Sequence, residues 1–100
     1  MIRHVVLFQF TPGTTEEQID AYERDLVDYV AALDGVISYR IGRDAGLNPN
    51  TYDFSIVAEF DDEGAFRRYF DGDRHLEIQR ATATMIAGKA SSQSRFDVDG

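Results

Sequence analysis

The chain predicts an α+β fold: a four-stranded antiparallel sheet in ferredoxin-like βαββαβ order, with its helices on one face. Three observations lead there. A strand-length segment near the start is apolar on both sides, a long amphipathic helix follows it, and two alternating strands precede a second helical region. With 43% apolar residues among 100, a single domain spanning residues 1–100 can bury its own core.

Ile2 to Phe10 is rich in Val, Phe and Ile and too short for a typical helix. Ile2, His4, Val6, Phe8 and Phe10 fall on one side, and Arg3, Val5, Leu7 and Gln9 on the other. Apolar side chains on both sides are expected of a strand covered on both faces. Pro12-Gly13 ends it. Thr14 and Glu17 have capping-box spacing, in which each side chain satisfies a free backbone N–H of the first turn. Ile19, Tyr22, Leu26, Tyr29, Val30 and Leu33 then recur at helical spacing, and Gly35 supplies a left-handed stop.

Val36 to Asp44 alternates, with Ile37, Tyr39 and Ile41 on one side and Ser38, Arg40 and Gly42 on the other. Gly46 to Asn50 is a loop around Pro49. Tyr52 to Phe60 reads as a third strand, with Tyr52, Phe54, Ile56, Ala58 and Phe60 on one face. Asp61 and Asp62 can cap a helix that carries Phe66, Tyr69 and Phe70. Asp71-Gly72-Asp73 interrupts it, and a further helix runs from Asp73 to Ile86 before Gly88. Ser91 to Val98 is polar and is the fourth strand because the pattern requires one. Helices on one face leave the other side of the first strand uncovered. An identical sheet from a second copy is the simplest cover, so a homodimer is expected.

Composition limits the functions open to this chain. It has no cysteine, which excludes a disulfide scaffold, a thiolate metal site and a cysteine nucleophile. The longest apolar run near the start, Val5 to Phe8, is too short for a signal or membrane segment, so a soluble, cytoplasmic protein is expected. Ten basic against eighteen acidic residues give a net charge of -8, which repels phosphate backbones and anionic lipid. Neither nucleic acid nor membrane is an expected partner. Two distant histidines without a ligand cluster predict no metal, and Asp71-x-Asp73 lacks the glycine and glutamate of a calcium loop. Serines 91, 92 and 94 lack a nucleophile elbow. Arg67, Arg68 and Arg74 form a local basic spot that suits a carboxylate, or that balances the surrounding acids.

Several segments together resemble a known family. Ile2-Arg3-His4-Val5-Val6-Leu7-Phe8, then Phe10, Pro12-Gly13-Thr14 and Glu16-Glu17, are similar to the opening of the stress-responsive A/B barrel (Dabb) domain. Gly35-Val36, Tyr52-Asp53 and Glu59-Phe60-Asp61-Asp62 continue the likeness over nearly the whole chain. The resemblance implies a dimeric α+β barrel in which two sheets pack face to face. Many members of that family are known only as small stress-linked proteins. One plant member closes a linear polyketide by aldol chemistry without cofactor or metal, using a tyrosine and a histidine at the positions of Tyr69 and His75 and a further histidine at that of His4. Here Gly72-Asp73-Arg74 replaces the usual histidine-proline-small run, and Phe54 stands where that enzyme has another histidine.

His4 and His75 are the only side chains whose ordinary pKa lies near neutrality. On one continuous helix Tyr69 and His75 would stand about 9 Å apart along the axis and roughly 120° apart around it, so they would not face each other. A glycine break between them can redirect the second helix and bring both onto one cavity with His4. The resemblance then implies a role for each. Neutral His75 removes a proton alpha to a carbonyl, the Tyr69 hydroxyl holds the developing enolate oxygen, and Asp71 or Asp73 orients the imidazole. Phe8, Tyr22, Phe54 and Phe66 line a pocket for a small apolar or aromatic ligand. Each site residue also has a plain structural role: Tyr69 as core packing, His4 as a hydrogen-bonded strand residue, His75 as an exposed residue of a first turn. Three functions follow: a small-ligand protein with cyclase-like proton transfer and no cofactor, a non-catalytic homodimer, and a cofactor-independent monooxygenase. The last has no positive support from tryptophan or further histidines.

Overall fold

The computed structural model describes residues 1–97; the Val98 end of the expected last strand lies outside them. The chain runs β1 (Ile2–Phe10), α1 (Glu16–Ala31), β2 (Val36–Arg43), β3 (Phe54–Phe60), α2 (Glu63–Phe70), α3 (Asp73–Thr82), a 3-10 turn (Ala83–Met85) and β4 (Ile86–Arg95). The strands form one antiparallel sheet in the order β2-β3-β1-β4. This is the ferredoxin-like arrangement. Ile2, His4, Val6 and Phe8 of β1, with Phe54, Ile56, Ala58 and Phe60 of β3, are buried on the helical side. Leu26 of α1, Phe66 and Tyr69 of α2 and Ile78 of α3 pack onto them.

Several boundaries differ from expectation. The capping box is Thr15 with Gln18, whose side chain accepts from the Thr15 N–H, one residue after the expected pair. Thr14 turns back instead, donating from its hydroxyl to the Thr11 carbonyl at 2.7 Å. Helix α1 ends at Ala31, and Ala32 and Leu33 close it with short-range backbone bonds. Gly35 follows in the left-handed region at φ +82°, where a side chain would also meet Ala65 of α2.

In β2 a bulge between Val36 and Ser38 shifts the phase of the strand. Val36, Tyr39 and Ile41 therefore pack inward while Ile37 is 53% exposed. Strand β3 starts at Phe54, because Tyr52 and Asp53 still belong to the loop, whose Asp53 carboxylate caps the Phe10 N–H. The last helix stops at Thr82, whose hydroxyl bonds back to the Ile78 carbonyl, and β4 begins at Ile86 rather than Ser91.

Candidate functional site

Between the β1–β4 half of the sheet and the helices lies a cavity of about 450 Å³, within the range that small ligands occupy. Its floor is made by buried side chains, among them His4, Val6, Phe66, Tyr69 and His75. Its rim carries exposed ones, notably Arg67, Lys89, Ser91 and Gln93.

The floor is assembled by a break in the helical layer. Asp62 caps α2 by accepting from the Ala65 N–H at 2.8 Å, which fixes Phe66 and Tyr69 against the sheet. At Asp71-Gly72 the backbone leaves the helix, and α3 restarts with Gly72 as its N-cap in an extended conformation. A Cβ at Gly72 would collide with the Tyr29 hydroxyl, which donates at 2.6 Å to the Tyr69 carbonyl. The turn therefore packs tightly on α1, and His75 swings under Tyr69. Their ring centroids are 4.7 Å apart, and the His4 ring lies 6.0 Å from Tyr69. His4 and His75 are only 4% and 6% exposed, so neither is a surface residue.

The hydrogen bonds of the two imidazoles define their tautomers. His75 Nδ1 lies 3.0 Å from the Phe70 carbonyl oxygen. A carbonyl can only accept, so the ring proton is on Nδ1 and the Nε2 lone pair is free. The Gln93 amide nitrogen lies 2.9 Å from His4 Nδ1. An amide N–H donates, so here Nδ1 accepts and the proton is on Nε2. The pair thus presents one base and one donor. Burial lowers both pKa values; His4 falls to about 4, helped by repulsion from His75 when that ring is protonated and from Lys89. For His75 burial again dominates, opposed by the Phe70 carbonyl and Asp71 and reinforced by Lys89. Both rings are neutral at pH 7.

The Tyr69 hydroxyl shares a 2.8 Å hydrogen bond with the Tyr39 hydroxyl of β2. Burial pushes the Tyr69 phenol up to about 12 and raises Tyr39 and Tyr22 as well, so all three stay protonated. The candidate residues thus gather unevenly. His4, Tyr69 and His75 meet in one cavity, with Phe8, Tyr22 and Phe66 on its walls. Phe54 does not line it; that ring lies behind Phe8 and Tyr22, at centroid distances of 6.2 and 5.7 Å. The Phe70 carbonyl, rather than Asp71 or Asp73, holds His75. Gln93, Lys89 and Tyr39 are participants that sequence reasoning missed. The period-2 spacing of Lys89, Ser91 and Gln93, with the single lysine of the chain at its head, is the sequence signal that marks the first two. Among the described residues, no three His, Asp or Glu side chains cluster as metal ligands would, and no helix is long and apolar enough to cross a membrane.

Comparison with known proteins agrees with the architecture. Residues 2–97 match the family described as the stress responsive A/B barrel domain. A dimeric ferredoxin-like protein of Thermobifida fusca is 33% identical, covers 95% of this chain and 90% of its own, and superposes with a TM-score of 0.85. A Dabb family protein of Mesorhizobium loti is 22% identical, covers 95% of both chains and gives a TM-score of 0.77. A hydroxynitrile lyase from Passiflora edulis shares the fold at a TM-score of 0.83 with 15% identity, over 97% of this chain and 94% of its own. No curated protein matches in sequence.

Proposed function

This chain belongs to the stress-responsive A/B barrel family, and from that premise we propose that it is a homodimer with one small-molecule site per protomer, working by cofactor-free proton transfer at a carbonyl compound. The dimer is supported by the sheet face opposite the helices. There Val5 pairs with Val57, which is 37% exposed, and Leu7 lies on the same side. An apolar face of this kind is covered when two such sheets stack. The Thermobifida fusca relative is itself dimeric.

The observation that carries the chemistry is the opposite tautomers of His75 and His4 on one enclosed floor. A carbonyl compound entering between them meets the His75 Nε2 lone pair on one side and the His4 Nε2–H on the other. His75 takes the proton from the carbon alpha to the carbonyl. The electron pair moves onto the carbonyl oxygen, where the His4 N–H stabilises the enolate. Carbon–carbon bond formation or reprotonation follows, with His75 returning its proton to the product. The ring of Tyr69 packs against His75 and excludes water from one side of it. The fold neighbour from Passiflora edulis is a hydroxynitrile lyase, so this fold hosts an enzyme in at least one other protein.

The test is ¹⁵N NMR of the imidazoles, with hydrogen–deuterium exchange alpha to the carbonyl of acetophenone. We expect Nδ1–H at His75 and Nε2–H at His4, and exchange that returns to background in His75→Ala while the dimer persists. If His75 titrates near its ordinary value of about 6.5 and the variant exchanges like wild type, the proton-transfer reading is wrong.

A further inference from the structure

The charge distribution around the cavity runs against that of the protein as a whole. The chain carries eighteen acidic and ten basic residues, yet among the described residues no aspartate or glutamate lines the cavity. Two cations do. Lys89, the single lysine of the sequence, stands on the cavity side of β4, opposite Phe8 in the strand register. Arg67 faces the same opening from α2. Arg3, Arg43, Arg74 and Arg95 pair with carboxylates, whereas Lys89 and Arg67, like Arg24, Arg40, Arg68 and Arg80, form no ion pair among the described residues.

Two unpaired cations on opposite walls of a mostly apolar cavity form a recognition pattern. Ser91, the next residue on the same side of β4, adds a hydroxyl donor at the rim. Below the rim, the cavity is lined mainly by aromatic and aliphatic side chains, with Gln79 and Thr82 among them, down to the two imidazoles. A ligand that satisfies both layers has an apolar body and one anionic end. We propose that this site, on the ligand-site reading given above, takes carboxylates: an aliphatic or aromatic acid whose carboxylate is held at the rim by Lys89 and Arg67, with its body directed toward His4 and His75.

Binding of such an acid is coupled to the imidazoles. The charge of Lys89 helps keep both histidines neutral, so a carboxylate beside it removes part of that repulsion. The midpoint of His75 then moves upward when the acid binds, and His75 becomes the stronger base only in the complex.

The experiment compares matched acids and amides by ¹⁵N–¹H NMR titration: 3-phenylpropanoate against 3-phenylpropanamide, and hexanoate against hexanamide. We expect each acid to bind at least tenfold more tightly than its amide, with shifts at cavity residues and an upward move of the His75 midpoint. The preference falls below twofold in Lys89→Gln, survives in Lys89→Arg, and weakens at high salt. If acid and amide bind the cavity equally, the site stands and its anion preference is overturned. If neither member of either pair moves a cavity resonance, the ligand-site reading itself falls, and the carboxylate proposal with it.

Discussion

His4 and His75 face one cavity as opposite tautomers, the first accepting from Gln93 through Nδ1 and the second donating to the Phe70 carbonyl through the same atom. One ring therefore keeps an N–H on Nε2 and the other a lone pair on Nε2, without either being charged. Breaking either anchoring bond alters that division. In Gln93→Ala the His4 ring loses its donor and is free to exchange tautomers. We expect its Nε2 ¹⁵N shift to move toward the average of the two neutral forms while His75 keeps its own. An unchanged His4 spectrum would show that Gln93 does not select the tautomer.

Acid sensitivity follows from the same burial. The folded-state pKa of His4 is about 4, below its ordinary value near 6.5, so the unfolded chain binds a proton that the folded chain refuses. Stability is fully present above about pH 6.5, declines as pH falls, and the loss from His4 is complete below about pH 4. A displacement of this size corresponds to something on the order of 3 kcal/mol. Urea denaturation from pH 7.5 to 4.5 should show a decline that is shallower in His4→Gln. Parallel curves for the two proteins would mean that His4 takes no part.

Tyr39 and Tyr69 are tied to each other through their hydroxyls. Tyr39→Phe leaves the buried Tyr69 hydroxyl without its partner and should cost about 1–3 kcal/mol. Removing both hydroxyls, in Tyr39→Phe with Tyr69→Phe, should cost less than the two single changes added together. A double-mutant cycle by denaturant titration reads this coupling, and strict additivity would rule it out.

Gly72 is small because Tyr29 occupies the space in front of it. Its backbone is ordinary, so Gly72→Ala acts through that collision rather than through dihedral strain. We expect a loss of about 1–3 kcal/mol, as for other overpacked sites, with a shift in the His75 resonances. Adding Tyr29→Phe removes the offending oxygen and should recover part of the loss. No recovery would place the cost elsewhere.

The proposed dimer is tested on the outer sheet face. Leu7→Asp with Val57→Asp puts charge where two apolar faces would meet, and sedimentation should then report a monomer. His75 should keep its neutral, Nδ1-protonated spectrum, since it lies on the other side of the sheet. A wild-type protein that already sediments as a monomer would overturn the dimer.

The order of elements was legible in the sequence because α1 and β3 each pack one side inward and so show clear periodicity, and because β1 is a short run of Val, Phe and Ile stopped by Pro12-Gly13. β2 was misphased at Ile37, since a bulge inserts one residue without leaving a mark in composition. β4 was the hardest to read. Its cavity-side residues Lys89, Ser91 and Gln93 face an open space rather than the core, and so lack the apolar alternation that announces a strand. The same fact hid them as site residues. Tyr69 and His75 were found through the glycine break and the family resemblance. The partners that fix their state, Tyr39 and the Phe70 carbonyl, come from the tertiary arrangement and carry no sequence signal.

The break between α2 and α3 also does something that a change of direction does not describe. In an unbroken helix the Phe70 carbonyl would accept from the N–H of Arg74 and close the backbone ladder. Here that carbonyl is released, as the last carbonyls of any helix are, and the His75 ring takes it up. A defect in the main chain thus sets the proton inventory of the cavity. A substitution that healed the helix would leave every side chain of the site in the sequence and still erase its base, because the acceptor that locks His75 would have been consumed by the backbone.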